Sequence, residues 1–574
     1  MKTKQNTIYN RRSFLHKAGV FGVSSLVIPP FLTSFLTGCQ KDFLDRQPLD
    51  QITDVSFWKT PKQLELAVNG VYAYLKNKNT VDMENLGDNT IYPPSSDYQA
   101  ISSGNFDYTR NAINNEWVGH YNGIRRCNHF LENYNKAEGV PDVKLNQYVG
   151  EVRFMRAHMY TYLTFLFGDV PLLTKTLKVG DEEIYGTRTP RAEVVAFILK
   201  ELDEAAAGLP ITYTTTADLG RVTRGAALAW KARVALFFEK WDVAEAASKA
   251  VMDLNVYQLY TAGGPTKAYN DLFTYKGKLS AGANKETILA RCYLTDVAMH
   301  NLSRECHVPD QTSRFCPTKS LVDTYLCSDG LPINKSPLYS ETSYANIFKN
   351  RDPRMPQTIL APGGTWGGRD DGDPDANTST VFNTPKWDAD KKGCITGTGY
   401  YFTKYVEVSV VGAVTKDAND IHLIRLAEVL LTYAEARFEQ GKLTQADIDL
   451  TINKLRDRVG MKRMTISEIT AAGLDMRTEI RRERRVELAF EGHRYYDILR
   501  WKQGALLAQD VKGMKKSLVE SFNQPYVATI PTDAEGYFLV NTGRKFDPAK
   551  NYLWPVPFRQ TQQNPNLGQN PNWD

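Results

Sequence analysis

Apolar residues recur at steps of three and four along most of the chain, which is the spacing of a helix face packed on a core. The first such run follows Thr60 and Pro61, an N-cap residue and a proline at the first helical position. Its apolar positions share one face of the predicted helix: Leu64, Ala67, Val68, Val71 and Leu75. A later run reaches Gly168, a residue suited to ending a helix. The pattern predicts an all-α fold.

Two stretches combine a pair of helices with a tight turn and with alanine at the crossing positions. Residues 220–254 turn at Trp241 and Asp242, and residues 421–459 turn at Gly441. Small side chains let such helices pack closely, and both units resemble degenerate, irregularly spaced tetratricopeptide repeats. We therefore expect a scaffold of tetratricopeptide-like helical repeats, with a loop-rich subdomain inserted between the two units.

Two long segments interrupt the helical pattern and mix aromatic residues with Gly, Pro, Ser, Asn and Asp. They cover residues 85–110 and residues 361–401, the second inside the predicted insertion over residues 261–420. Loops of this length within a domain are more often functional than idle. The aromatic residues of helical repeats are used in packing, so we expect ligand-binding aromatic residues to come from these two loops.

The segment 476–504 carries arginines and carboxylates at helical spacing around an apolar stripe. Arg484 and Glu487, and Glu491 and Arg494, are three residues apart and could form ion pairs on one helix. The stripe of Leu488, Tyr495 and Leu499 predicts that the helix continues past a glycine at position 492. Carboxylates are too frequent here for a phosphate-binding surface, so the pattern favours an ion network that joins helices.

The string E-R-R-V-E-L-A-F-E-G-H-R-Y-Y-D-I-L-R-W over residues 483–501 resembles the C-terminal signature of the SusD/RagB family. Further similar landmarks follow in order along the chain: residues 42–50, the helix after Thr60, K-E-T-I-L at 285–289, residues 316–333, R-D-P-R at 351–354 and residues 551–574. The resemblance implies a non-catalytic surface lipoprotein that captures nutrients for a SusC-like TonB-dependent transporter of the outer membrane. Family members mostly bind glycans, whereas RagB-like members handle peptides.

The N-terminus has the pattern of an export signal. A basic start with Arg11 and Arg12 precedes a largely apolar run, and L-T-G-C ends it at Cys39. This exit resembles a lipobox, so we predict a signal peptide over residues 1–38 and lipid attachment to Cys39, which would anchor the protein in the outer membrane at the cell surface. Twin-arginine export and ordinary Sec export remain alternatives. The predicted parts are residues 39–260 (helical, SusD-like), 261–420 (insertion) and 421–574 (helical, SusD-like).

The charge balance changes once the signal is set aside. The whole chain has 70 basic and 65 acidic residues, but residues 1–38 hold five basic residues and no acidic one. The remainder is formally neutral, which gives no electrostatic reason to expect a nucleic-acid partner.

Six cysteines remain besides Cys39, and disulfides or buried thiols are both compatible with them. Asp371, Asp373 and Asp375 have the first spacing of a calcium loop. However, Ala376 replaces the required glycine and Phe382 stands at the position of the bidentate glutamate. Calcium remains a minor alternative, and no cofactor and no metal site are predicted.

No G-x-S-x-G, H-E-x-x-H or phosphate-binding glycine loop is present, so we expect a binding protein and not an enzyme. An oligosaccharide is the expected ligand, and the alternatives are a peptide ligand or an exported glycoside hydrolase. Sugars need flat aromatic faces flanked by planar polar groups. The candidate ligand-binding residues are Asp88, Asn89, Tyr92, Tyr98 and Gln99 in the first loop and Trp366, Arg369 and Trp387 in the second. Tyr98 and Trp366 are the leading pair, because few apolar neighbours in sequence could bury them.

Overall fold

The first helix begins where the sequence predicts it. Thr60 accepts a hydrogen bond from the Gln63 amide at 3.3 Å, and the Gln63 side chain accepts one from the Thr60 amide at 3.1 Å. This reciprocal capping box, with Pro61 as the first helical residue, fixes the start of the helix. The predicted end at Gly168 is also confirmed, because the helix stops at Phe167 and Gly168 adopts a φ of 75°.

The computed structural model describes residues 57–92, 96–309, 311–368, 381–388 and 393–573. The predicted signal peptide, Cys39, Arg369 and the three aspartates at 371, 373 and 375 lie outside the described residues. The contacts group residues Trp58–Asp574 into one unit. The division of the chain at residues 260 and 420 marks changes in the sequence pattern and stays a prediction.

The described part of the chain is mostly helical, as predicted. Its helices are α1 (Pro61–Val71), α2 (Asn79–Asp82), α3 (Asp97–Ser102), α4 (Asn111–Asn133), α5 (Asp142–Phe167), α6 (Arg191–Gly208), α7 (Arg224–Phe237), α8 (Trp241–Asp253), α9 (Ala268–Asp271), α10 (Leu302–Cys306), α11 (Lys319–Thr324), α12 (Met355–Thr358), α13 (Leu426–Glu439), α14 (Gln445–Leu450), α15 (Ile452–Val459), α16 (Ile466–Ala471), α17 (Met476–Glu487), α18 (Arg494–Arg500), α19 (Gln524–Val527) and α20 (Phe558–Gln563).

The long helices pack in chain order, each against the next. α5 lies between α4 and α6, α7 packs on α6 and α8, and α8 in turn contacts α13, which contacts α17. Alanines 226, 227, 229, 232 and 235 of α7 are buried, as expected for close helix crossings. This succession of antiparallel pairs is the repeat scaffold that the sequence predicts.

Three small antiparallel sheets join distant parts of the chain: β1 (Thr90–Ile91) with β3 (Cys316–Pro317), β2 (Thr287–Arg291) with β4 (Ile421–Arg425), and β5 (Val511–Lys515) with β6 (Tyr537–Asn541). The first matters most for the site, because Thr90 pairs with Pro317 and Ile91 with Cys316. It places Tyr92, which follows β1, beside Arg314 and Phe315, which precede β3. Among the described helices, none has the length and apolar composition of a membrane span.

The arginine-rich segment departs from the prediction of one continuous helix. α17 ends at Glu487, and α18 starts at Arg494. Gly492 between them has a φ of 78°, and a Cβ atom there would lie 2.0 Å from the Thr80 carbonyl oxygen. The close approach of α2 requires glycine at this turn, which the spacing of the apolar stripe does not reveal.

The four charged residues of the two predicted pairs are buried, as the network hypothesis requires, but neither predicted pair forms. Their partners come from other elements: Arg484 with Asp497, Glu487 with Arg354, Arg425 and Arg458, Glu491 with Lys404 and Arg425, and Arg494 with Asp88. The predicted pairs of Arg484 with Glu487 and of Glu491 with Arg494 are therefore wrong. Helical spacing permits such a pair but does not impose it where oppositely charged groups of other segments pack against the same side chains.

Candidate functional site

A cleft of about 530 Å³ lies between residues 78–98 and residues 301–315. Its volume falls within the range of small-molecule sites in proteins, about 300–1,000 Å³. The pairing of β1 with β3 brings these two segments together, since Tyr92 directly follows β1 and Arg314 directly precedes Phe315 and β3. The cleft is thus built from two parts of the chain that are more than 200 residues apart.

Two tyrosines of the first predicted loop line the cleft, Tyr92 and Tyr98. Tyr98 lies in the first turn of α3, which Ser96 caps by accepting a hydrogen bond from the Gln99 amide at 3.1 Å. Burial raises the pKa of the Tyr98 phenol well above its usual value, and the nearby Glu116 carboxylate adds to this shift. Tyr98 is therefore a neutral aromatic side chain at any physiological pH.

Lys78 organises the charges at one side of the cleft. Its ammonium donates to Asp82 at 2.8 Å and to Glu305 at 2.6 Å. Burial lowers the pKa of Lys78, but the two carboxylates outweigh burial and raise it above its usual value. Burial raises the pKa of Asp82 to about 6, although Lys78 favours the charged form. Both carboxylates are thus held by one cation.

Arg314 also lines the cleft. Its Nη1 donates to the Tyr92 hydroxyl, and its Nη2 donates to Gln311 Oε1 at 2.9 Å. The guanidinium lies 5.4 Å from the centroid of the Tyr92 ring. Asn85 also lines the cleft, and within the described residues its buried Oδ1 accepts no hydrogen bond. The cleft therefore combines aromatic faces, an amide and charged groups.

Asp88 and Asn89, expected as ligand contacts, are buried and already bonded to the scaffold. Asp88 accepts hydrogen bonds from Arg494 at 2.6 and 3.0 Å, and Asn89 Oδ1 accepts one from Arg485 Nε at 2.8 Å. The Asn89 amide donates to Glu84 at 2.6 Å. Their polar atoms bind residues 88 and 89 to the arginine-rich segment, which packs against this part of the first loop.

The two tryptophans of the second loop are also buried. Trp366 is 5% exposed and packs between the rings of His307, Phe382 and Tyr401, at 5.0 to 5.4 Å between centroids. Trp387 is 7% exposed and packs on Phe538. The expectation that Trp366 lacks apolar neighbours is wrong, because its neighbours come from distant parts of the sequence. Neither tryptophan lines the cleft of Tyr92 and Tyr98, and neither does Gln99 on α3.

The charged residues of the cleft were missed by the sequence reasoning: Lys78, Asp82, Arg304, Glu305 and Arg314. A signal existed in the polar run S-R-E-C-H-V-P-D-Q-T-S-R over residues 303–314. The six cysteines besides Cys39 are free thiols and not disulfides. No group of three His, Cys, Asp or Glu residues within the described ranges could hold a metal ion.

Comparison with known proteins gives two family matches that together span most of the chain. A sequence model of the SusD family matches residues 285–573. A second family model, described as starch-binding and associating with the outer membrane, matches residues 42–236. The first match alone covers half of the 574 residues.

Similar individual proteins match over nearly the whole length. The SusD-like protein P38 of Formosa agariphila is 22% identical over 563 residues, which are 93% of this chain and 96% of that protein. A SusD-like protein of Bacteroides ovatus is 23% identical over 509 residues, 84% of this chain and 83% of that protein.

Solved structures share the fold. The crystal structure of a SusD-like carbohydrate-binding protein from Bacteroides fragilis is 28% identical and superposes with a TM-score of 0.76, covering 89% of this chain and 100% of that one. A laminarin-binding SusD-like protein, 21% identical, has a TM-score of 0.60 over 90% of this chain and 100% of its own. These matches confirm the resemblance and the helical repeat fold predicted from the sequence: the chain belongs to the SusD family.

Proposed function

We propose that this protein binds oligosaccharides in the cleft between residues 78–98 and 301–315. One observation carries the proposal: two tyrosine side chains, an amide and paired charges line the same cavity of about 530 Å³. A sugar ring has apolar C–H faces, which pack on aromatic rings, and a rim of hydroxyls, which exchange hydrogen bonds with planar polar groups.

The comparisons support a carbohydrate as the class of ligand. One similar structure is described as a carbohydrate-binding protein and another as laminarin-binding, and one family model is described as starch-binding. The charges of the cleft support binding without hydrolysis. A glycosidase needs two carboxylates that flank the scissile bond, whereas Asp82 and Glu305 both accept hydrogen bonds from Lys78.

The cellular role follows as part of the same proposal. The protein is anchored in the outer membrane by lipid on Cys39, is exposed at the cell surface, and delivers its oligosaccharide to a SusC-like TonB-dependent transporter. Support comes from the L-T-G-C exit of the signal sequence and from the family description, which names association with the outer membrane.

The test is binding to a glycan array, followed by calorimetry with the glycans that bind. Tyr92→Ala combined with Tyr98→Ala should weaken binding at least tenfold, because both tyrosine rings that line the cleft are removed. Tyr185→Ala is the matched control, since Tyr185 is 58% exposed and lies outside the cleft. Circular dichroism melting of all variants checks that the fold is retained.

Retained affinity in the double variant would move the site away from this cleft. Binding of peptides but of no glycan on the array would replace the oligosaccharide by the peptide that RagB-like relatives handle. Release of reducing ends from a bound oligosaccharide would show a glycoside hydrolase instead of a binding protein.

A further inference from the structure

Arg314 differs from Lys78, Asp82 and Glu305 in the partners it has within the described residues. Lys78 is neutralised by Asp82 and Glu305, at 2.8 and 2.6 Å. Arg314 donates instead to two uncharged acceptors, the Tyr92 hydroxyl and the Gln311 side-chain oxygen. Across the described residues, Arg314 has no carboxylate as an ion-pair partner.

The partners of Arg314 also hold its guanidinium in place. Tyr92 contacts it both through the hydroxyl and through the ring, at 5.4 Å from the centroid, and Gln311 fixes the second Nη atom. A guanidinium has five N–H donors in a planar fork that matches the two oxygens of a carboxylate or the oxygens of a sulfate ester. Because the fork is fixed before a ligand arrives, little conformational entropy is lost on binding.

The charge of the cleft favours an anion. Three cationic side chains, Lys78, Arg304 and Arg314, line it with two anionic ones, Asp82 and Glu305. Both anionic side chains are bound to Lys78, so they oppose an incoming negative charge less than free carboxylates would. A cleft with low-dielectric walls concentrates anionic ligands when it holds a guanidinium that, like Arg314, has no carboxylate partner among the described residues.

We propose that the cleft selects acidic oligosaccharides, with the carboxylate of a uronate or a sulfate ester bound to the guanidinium of Arg314 and the sugar ring against Tyr98. This inference rests on the proposed function and narrows it to one class of glycan. The carboxylate and the sulfate share the same anionic chemistry, so the experiment includes both.

Calorimetry with three oligosaccharides of matched length tests the inference: an oligogalacturonate, a sulfated carrageenan oligosaccharide and a neutral laminari-oligosaccharide. We expect an acidic probe to bind at least tenfold more tightly than the neutral one, and this advantage should shrink between 50 and 300 mM NaCl because salt screens the ion pair. Which acidic probe binds identifies the carboxylate or the sulfate as the recognised group.

Two variants assign the effect to Arg314. Arg314→Gln should weaken binding of the acidic probe by about 10- to 100-fold, as for loss of a charged hydrogen-bonded pair. Arg314→Lys should lie between this variant and wild type, since the charge remains but the planar fork is lost. Arg463→Gln is the matched control, because Arg463 is exposed and pairs with Asp457 at the surface, outside the cleft. Melting curves identify a variant that fails to fold, and the salt dependence of the wild type then carries the test.

The outcomes separate the two proposals. Equal affinity of wild type for the neutral and the acidic probes overturns the acidic specificity and leaves oligosaccharide binding in place. Unchanged acidic affinity in Arg314→Gln overturns the assignment of the anion to Arg314. Absence of binding to any glycan, on the array or in calorimetry, overturns both proposals.

Discussion

Arg494 donates two hydrogen bonds to Asp88, from Nε to Oδ1 at 2.6 Å and from Nη2 to Oδ2 at 3.0 Å, across 406 positions of the chain. Arg485 lies 3.2 Å from the same carboxylate. Asp88 follows Asn85, which lines the cleft, and precedes β1, which positions Tyr92. The arginine-rich segment therefore acts on the cleft indirectly, because it holds the loop from which part of the cleft is built.

Asp88→Asn should lower the free energy of unfolding by about 3–5 kcal/mol, because it removes the carboxylate that pairs with the buried Arg494 and Arg485. Urea unfolding measures this loss. Asp457→Asn removes an exposed partner of Arg463 and should change stability by less than about 1 kcal/mol. If Asp88→Asn abolished glycan binding while stability stayed unchanged, Asp88 would be a ligand contact, as first expected from the sequence, and not a support of the loop.

The stability of the protein should fall in acid because of its buried carboxylates. Burial raises the pKa of Glu491, but Arg425 and Lys404 outweigh burial and lower it from 4.5 to about 2. Burial likewise raises the pKa of Asp497, but Arg484 and Arg500 lower it from 3.8 to about 2. The unfolded chain thus binds more protons than the folded one at intermediate acidity. This contribution is complete above about pH 5 and is lost as the pH falls toward 2.

Urea unfolding at pH 7, 5, 4 and 3 should show a decline of a few kcal/mol between pH 5 and pH 3. Glu491→Gln should be less stable at pH 7 and should decline less steeply, since one of the titrating groups is removed. A wild-type free energy of unfolding that stayed constant down to pH 3 would contradict the lowered pKa values of these carboxylates.

Local features of the fold could be predicted because their causes are local. The capping box at Thr60, the end of α5 at Gly168 and the helix pair turning at Trp241 each depend on a few adjacent residues. The periodicity of apolar residues likewise fixes which face of a helix is buried, whatever it packs against.

The partners of buried side chains could not be predicted, because they come from distant segments. Trp366 has few apolar neighbours in the sequence, yet His307, Phe382 and Tyr401 enclose it. The sequence places Tyr92 in a loop predicted to bind the ligand but does not show that Arg314 lies against it, since only the pairing of β1 with β3 brings the two together. The partners of charged side chains are equally hard to predict. A charge pattern shows how many partners are needed but not which segments of the chain supply them.

The anchor is tested by Cys39→Ala, because lipid attachment requires the thiol at the end of L-T-G-C. We expect the variant to leave the membrane fraction or to retain its signal peptide, as judged by fractionation and by the mass of the protein. Cys127→Ala is the control, since Cys127 is a buried thiol and should not affect fractionation. A Cys39→Ala protein that still behaved as a processed outer-membrane lipoprotein would place the lipid elsewhere.

Alanine substitutions at two glycines with similar backbone conformations distinguish the effect of steric contact from the effect of backbone strain. Gly492 has a φ of 78° and Gly536 a φ of 84°, and both angles cost an alanine about 1–2 kcal/mol. A Cβ atom at Gly536 meets open space, whereas one at Gly492 would lie 2.0 Å from the Thr80 carbonyl oxygen. Gly536→Ala should therefore lower the free energy of unfolding by the backbone cost alone. Gly492→Ala should lower it by about 1–3 kcal/mol more, because the new methyl group is overpacked.

The substitution Gly492→Ala should also change the geometry of the cleft. Thr80 belongs to α2, which contains Asp82 and directly follows Lys78, so displacement of its backbone shifts the charged side of the cleft. Urea unfolding measures the stability of both variants, and calorimetry with the glycan that binds measures their affinity. Gly492→Ala should lower both quantities, and Gly536→Ala should lower stability alone. Equal losses of stability in the two variants would show that the approach of Thr80 is not what requires glycine between α17 and α18.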